Sequence, residues 1–243
     1  MLIGETCKDE YHFGECNRIS PEAPVPVFDY KHEILKLGMA KNVKDNLESF
    51  GCSVYFLTNN ENYLIKRRLV DIKSNNQLMR EDFGNAVPKA SVPENLDYDF
   101  IVISDYNKGL IDYSFIDELC KKFKGLIFVD TKKNDLSCFK NCIIKCNENE
   151  YSHINKMSTT SELIVTKGKH GAEWNGNQYP APKVEIYDVT GAGDVFLAAL
   201  SVVYAHTKDM ETSIKKAITL ASKSTQYFGI YKLTQEDIYE ICD

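Results

Sequence analysis

No run of apolar residues in this sequence is long enough to cross a bilayer, which excludes a transmembrane helix. Nor is there an excess of basic residues: 29 Lys and Arg stand against 35 Asp and Glu, a formal net charge of −6. That balance argues against a nucleic acid or an anionic membrane surface as the main partner. The eight cysteines include no Cys-x-x-Cys pair, and the five histidines lack zinc-hydrolase spacing. Cys138, Cys142 and Cys146 do recur every fourth residue, but Ile143 and Ile144 between the last two read as buried strand. The thiols are therefore expected to be small core residues rather than metal ligands. Met1 to Glu5 does not read as a signal peptide, and no repeat, low-complexity segment or linker divides the chain. One domain spanning residues 1–243, in the cytoplasm, is the expectation.

What the sequence does contain is organised around Asp188, Val189, Thr190, Gly191, Ala192, Gly193 and Asp194, followed by the apolar Val195 to Ala199. Glycines directly before a run of helical periodicity read as the N-terminal turn of a helix, where unpaired N–H groups and the helix dipole favour an anion. Asp194 falls within that turn, as a carboxylate beside an anion hole suited to phosphoryl transfer. Taken alone, the same four residues fit an Asp that merely caps a helix. A dinucleotide site of the Gly-x-Gly-x-x-Gly kind is excluded, because position 196 is Phe.

Along the chain, Met1 to Gly4 reads as a short strand. Pro24 and Pro26 alternate with apolar residues in the segment from Arg18 to Phe28, which makes it an edge strand or extended arm. A helix is expected from Gly38 to Phe50, stopped by Gly51, then a strand from Val54 to Leu57. Lys66 to Ile72 and Gln77 to Phe83 form a hairpin. From Phe100 strands and helices alternate: strands at 100–104, 126–130, 142–146 and 163–166, with a helix from Tyr113 to Phe123. That pattern predicts a mostly parallel sheet covered by helices, with ligands beyond the carboxyl ends of the strands. Further helices are expected after Gly191, from Ser213 to Tyr227, and after a Thr234/Asp237 cap.

Together these residues resemble the ribokinase-like (PfkB-type) carbohydrate kinases. The run Arg18 to Val27, Asn76 to Leu78 with Arg80 and Asp82, Ser104 to Gly109, and Asp130 with Lys132 resemble the heptose 7-phosphate kinase branch, which also occurs as the kinase half of a bifunctional heptose kinase/adenylyltransferase. The resemblance implies a three-layer α/β/α sandwich with a small β lid, here about residues 12–30 and 64–84. It implies ATP and Mg2+ as cofactors and a sugar or sugar phosphate as substrate. Asp194 would be the general base, with Gly191, Ala192 and Gly193 as the anion hole. Asn147 would act on the ATP phosphates, and Glu150 on magnesium through water. Thr166, Gly168 and Gly171 would line the nucleotide site. Asp9, Gly38 and Asn42 would hold the sugar, and Lys66, Arg68, Arg80 and Lys108 a phosphate already on it. The lid also implies a homodimer.

The sequence departs from the family pattern in several places. Met39 stands where a second glycine is usual, Lys41 where a small residue is common, and the small residues around Ala221 to Lys223 are only partly kept. The segments between Thr58 and Lys66 and between Tyr151 and Leu163 are shortened, so a compacted member is expected. No His-x-Gly-His element of an adenylyltransferase is present. The shortened segments and Met39 keep a second reading open, a regulatory protein that binds nucleotide or sugar phosphate without turnover.

Overall fold

The structure, a computed structural model, describes residues 1–242. Strand β1 (Leu2–Gly4) leads after one residue into β2 (Thr6–Ile19), which turns back as β3 (Pro26–Met39) and runs into helix α1 (Ala40–Ser49). Next come β4 (Phe56–Leu57), β5 (Ile65–Asp71) and β6 (Gln77–Phe83). β2, β3, β5 and β6 form a separate four-stranded sheet in the order β3-β2-β5-β6, which is the lid. The proline segment is thus the turn of a long hairpin, and Pro26 opens β3, an edge strand where a missing N–H costs no ladder bond. The expected hairpin at 66–83 is β5 and β6, paired antiparallel.

From Phe100 the expected alternation holds. β7 (Phe100–Asp105), α2 (Tyr113–Lys122), β8 (Leu126–Thr131), β9 (Cys142–Asn147), the short α3 (Glu148–His153) and β10 (Glu162–Thr166) follow in turn. β11 (Ala172–Trp174) and β12 (Asn177–Tyr179) add an antiparallel edge, and helices α4 (Ala192–Thr207), α5 (Met210–Ser224) and α6 (Gln235–Cys242) close the chain. The main sheet has the order β12-β11-β10-β9-β8-β7-β1-β4, with β1, β4, β7, β8, β9 and β10 parallel.

Both faces of this sheet are buried, because alternate residues of each strand enter different cores. Val102, Phe128 and Ile143 pack with α1, α4 and α5. Ile101, Ile103, Ile127, Val129 and Ile144 pack with Phe115, Ile116 and Leu119 of α2 on the other side. α4 is buried from Asp194 through Ser201, which accounts for an apolar run without a polar face.

Two expectations need correction. Gly38 lies in β3 rather than at a helix start, and α1 begins at Ala40. The strand read from Val54 shrinks to Phe56–Leu57. The residue ahead of α1 is Met39, buried and held at φ 59°, a backbone region that glycine enters freely and a side chain enters at a cost of ~1–3 kcal/mol. Its side chain is buried in the same core cluster as Ile3 and Leu64, and that burial offsets the strain. The shortened segments are as expected: 61–63 is a single 3-10 turn, and 148–153 is the only helix between β9 and β10 among the described residues. Beside α3, a pocket of about 450 Å³ leaves Leu163, Val165 and Trp174 lining a groove.

Candidate active site

Asp194 sits in the first turn of α4 and is buried. Its carboxylate is held from two sides by elements far apart in sequence. Asn42 Nδ2, from α1, donates to Oδ2 at 3.0 Å, and the Tyr106 hydroxyl, from the loop after β7, donates to Oδ1 at 3.0 Å. Burial is the largest influence on Asp194 and pushes its pKa up to about 6; the Asn42 and Tyr106 hydrogen bonds and Lys145 oppose that rise, whereas Asp130 adds to it. Such a group is a carboxylate at neutral pH yet a far better proton acceptor than an exposed Asp.

The turn ahead of α4 is fixed by Asp188, which accepts from Thr190 N at 2.9 Å and from Gly229 N at 2.8 Å. Gly191 caps the helix at φ 79°, and a Cβ there would lie 2.5 Å from Asn42 Nδ2, so glycine is what lets α1 reach Asp194. Of the three amides expected to form an anion hole, one already has an acceptor. Ala192 N–H donates to Val189 O at 3.3 Å, whereas the amides of Gly191 and Gly193 have no acceptor among the described residues.

Beyond this turn lies a cavity of about 670 Å³ lined by Asn147, Thr166, Gly168, Gly171, Ala192, Gly193 and Ser222, among others. It gathers all but one of the residues expected on the nucleotide side. The exception is Glu150, which forms a capping box with Asn147, its Oε2 accepting from Asn147 N at 2.8 Å while Oε1 pairs with Lys132. Among the described residues no three His, Cys, Asp or Glu side chains are grouped to hold a metal alone. Asp130 Oδ1 is buried without a partner among the described residues, an acidic oxygen that suits a hard cation whose other ligands are phosphate oxygens and waters.

Of the residues expected on the acceptor side, Asp9, Gly38, Lys66, Arg68 and Arg80 come from the lid sheet. Asp9 on β2 is buried and pairs with Arg68 on β5, and a Cβ on Gly38 would lie 2.1 Å from Asp9 Oδ2. Lys66, two residues before Arg68, places its ammonium 5.7 Å from the centre of the Tyr106 ring, and Lys132 does the same. Lys108 is anchored through its backbone, donating to Glu5 Oε1 at 3.0 Å. Arg80 lies opposite Arg68 in register but is bound twice by Asp82, at 2.6 and 2.7 Å, on an exposed strand. The structure thus brings Asp9, Gly38, Lys66 and Arg68 together and leaves Arg80 committed to its own neighbour.

Three residues at this site were not singled out for it by sequence. Tyr106 reaches Asp194 only because Glu5, fully buried, accepts from the amides of Tyr106, Lys108 and Leu110 and so shapes their loop. Lys145 falls within the expected strand 142–146, and its ammonium pairs with Asp130 at 2.6 Å next to Gly193. A charged residue inside an otherwise apolar strand was the available signal.

A mostly parallel sheet under a separate β lid, with its site at the carboxyl ends of the strands, is the ribokinase-like architecture. Solved structures agree: ribokinase of Arabidopsis thaliana, complexed with ribose and ATP, superposes with a TM-score of 0.73 at 15% identity, covering 99% of this chain and 97% of its own. Ribokinase of Thermotoga maritima gives 0.72 at 17% identity, covering 99% and 98%. Residues 138–237 match the model of the pfkB family carbohydrate kinases. The bifunctional protein HldE of a Nitratiruptor species is 30% identical over 99% of this chain and 64% of its own length, and that of Hydrogenovibrio crunogenus 27% identical over 99% and 62%. The chain is thus similar to the pfkB family carbohydrate kinases, whose model it matches over residues 138–237. It spans less than two thirds of the length of these relatives, and the Nitratiruptor alignment runs to 298 positions against 243 residues here, so that relative carries segments this chain lacks.

Proposed function

We propose that the protein is an ATP-dependent kinase of a sugar or sugar phosphate, with a heptose 7-phosphate-like acceptor as the nearest class. The observation that carries this reading is Asp194, a buried carboxylate clamped between Asn42 and Tyr106, one residue from the open amide of Gly193 at the edge of the 670 Å³ cavity. In the reaction the acceptor hydroxyl passes its proton to Asp194 while its oxygen bonds to the γ-phosphorus of ATP. The bond from that phosphorus to the β,γ-bridging oxygen breaks, and its electron pair leaves with ADP. Gly191 and Gly193 hold the moving charge, and Ala192 contributes through the helix dipole.

Asn147, Thr166, Gly168 and Gly171 bind the nucleotide, and Asp9, Gly38 and Asn42 the sugar. Lys66, Arg68, Arg80 and Lys108 are the candidates for a phosphate already on the acceptor; Arg68 and Arg80 are paired with Asp9 and Asp82, whereas the ammonium groups of Lys66 and Lys108 have no carboxylate partner among the described residues. Bound magnesium would offset charge on the ATP phosphates, with Asp130 and, through water, Glu150 as the residues facing it. The lid excludes water from the transfer. Exposed Ile34, Leu35, Leu78, Met79 and Phe83 on the lid strands support a homodimer formed through it. No helix of the described residues is long and apolar enough to cross a membrane. The cytoplasm, where ATP is supplied, is the compartment this reading assigns.

The test is a coupled ADP-release screen over heptoses, hexoses, riboses and their phosphates. Release that needs both magnesium and one of these acceptors supports the reading. Calorimetric binding of nucleotide and sugar phosphate with no turnover would replace it with the regulatory one, which the strained Met39 favours.

A further inference from the structure

In β9 the side chains alternate between the two cores: Ile144 packs with the α2 layer, and Ile143 with the α4 layer. Lys145, two residues after Ile143, therefore points to the α4 side, where the strand has passed the apolar packing and faces the first turn of α4. It is 4% exposed, and a Cβ on Gly193 would lie 3.0 Å from its Nζ. A buried ammonium against the positive end of a helix is doubly unfavourable in an empty protein.

Asp130 compensates only in part. It pairs with Nζ at 2.6 Å, the single partner of that ammonium among the described residues, and two of the three ammonium protons remain. Of the pair, Lys145 lines the 670 Å³ cavity and Asp130 does not. The ammonium, the amides of Gly191 and Gly193 and the α4 dipole thus point their positive ends at one place, adjacent to Asp194. An anion there is held by all of them, and its position next to the base makes it the phosphoryl group under attack rather than the α- or β-phosphate.

We propose that Lys145 is a catalytic residue that donates a hydrogen bond to the γ-phosphoryl group of ATP and stabilises the charge it carries during transfer. This rests on the kinase reading above and adds to it a side chain that moves no proton: the acceptor proton still goes to Asp194, and the electron pair of the broken bond to ADP. Because the contact is to the γ-phosphoryl, it distinguishes a triphosphate from a diphosphate.

The experiment is calorimetry of the full chain with magnesium, titrated in parallel with ADP and with the β,γ-imido analogue of ATP. A charge-assisted hydrogen bond of ~1.5–3 kcal/mol corresponds to about 10- to 100-fold in affinity. Lys145→Gln is expected to lose that factor for the analogue and less than about threefold for ADP, and Lys145→Arg to regain most of it. The ratio is read within each variant, so a general loss of stability cancels. If Lys145→Gln is too unstable to titrate, Lys145→Met, which keeps the length of the side chain without its charge, is expected to show the same collapse of the analogue-to-ADP ratio. An unchanged ratio in the variants overturns the proposal and leaves the kinase reading standing. Wild-type protein that binds neither nucleotide overturns both.

Discussion

Asn42 Nδ2 and Asp194 Oδ2 lie 3.0 Å apart across 152 positions of sequence, and Asn42 is itself held from behind by Asn46, whose Oδ1 accepts from Leu233 N at 2.9 Å. The donor opposes the rise in the Asp194 pKa that burial causes. Asn42→Leu is therefore expected to move the acid limb of the pH–rate profile above its starting point near 6 and to lower kcat/KM at pH 7 by ~10-fold, with recovery at higher pH. Tyr106→Phe should shift the limb in the same direction. A variant that loses activity equally at every pH would mean that Asn42 does not tune Asp194.

Asp194 also carries a stability signature. Its folded pKa of about 6 lies above the ordinary 3.8, so between those values the folded state binds more protons than the unfolded one. Its contribution to stability is therefore present at low pH and lost as pH rises through about 6. Asp194→Asn keeps the hydrogen-bonding shape without the buried charge, and thermal melts at pH 8 should show it more stable than wild type, on the order of 2 kcal/mol. At pH 4 the gain should nearly vanish, and a gain independent of pH would contradict this assignment.

Gly38 leaves room for the Asp9 carboxylate, which a Cβ would meet at 2.1 Å. Gly38→Ala should displace Asp9 from Arg68 and raise KM for the acceptor by ~10-fold or more, with KM for ATP within about twofold. Steady-state kinetics with each substrate varied in turn separates the two. Equal changes in both constants would point to a general loss of structure.

Lys66 approaches the Tyr106 ring with no carboxylate partner among the described residues. Lys66→Gln should weaken phosphorylated acceptors by ~10-fold in kcat/KM and leave unphosphorylated sugars within about twofold. Loss on both kinds of acceptor would mean that Lys66 serves the lid rather than a phosphate.

The α/β half was legible because strands such as Phe100–Asp105 and Cys142–Asn147 are buried on both faces and read as short apolar runs. The lid was less so. β2 alternates, but its inward positions include Asp9 and Cys7, and a polar substrate face erases the hydrophobic half of the pattern. The edge hairpin β11–β12 turns on Asn175 and Gly176, both at positive φ, an Asn-Gly signal that was present and passed over. The Asn147/Glu150 pair was assigned to the nucleotide, and the same two side chains close the first turn of α3. At the site, Asp194 was marked by its own neighbours in sequence. Tyr106 and Lys145 arrive from β7 and β9, and local sequence carries no information on how near they come.

The most direct measurement is acceptor-dependent ADP release by wild type and Asp194→Asn, side by side at pH 7.5 with saturating magnesium and ATP. A sugar or sugar phosphate that drives turnover in the wild type, with a loss of at least ~10²-fold in the variant, is the predicted result. Turnover that survives the substitution undiminished would contradict the account.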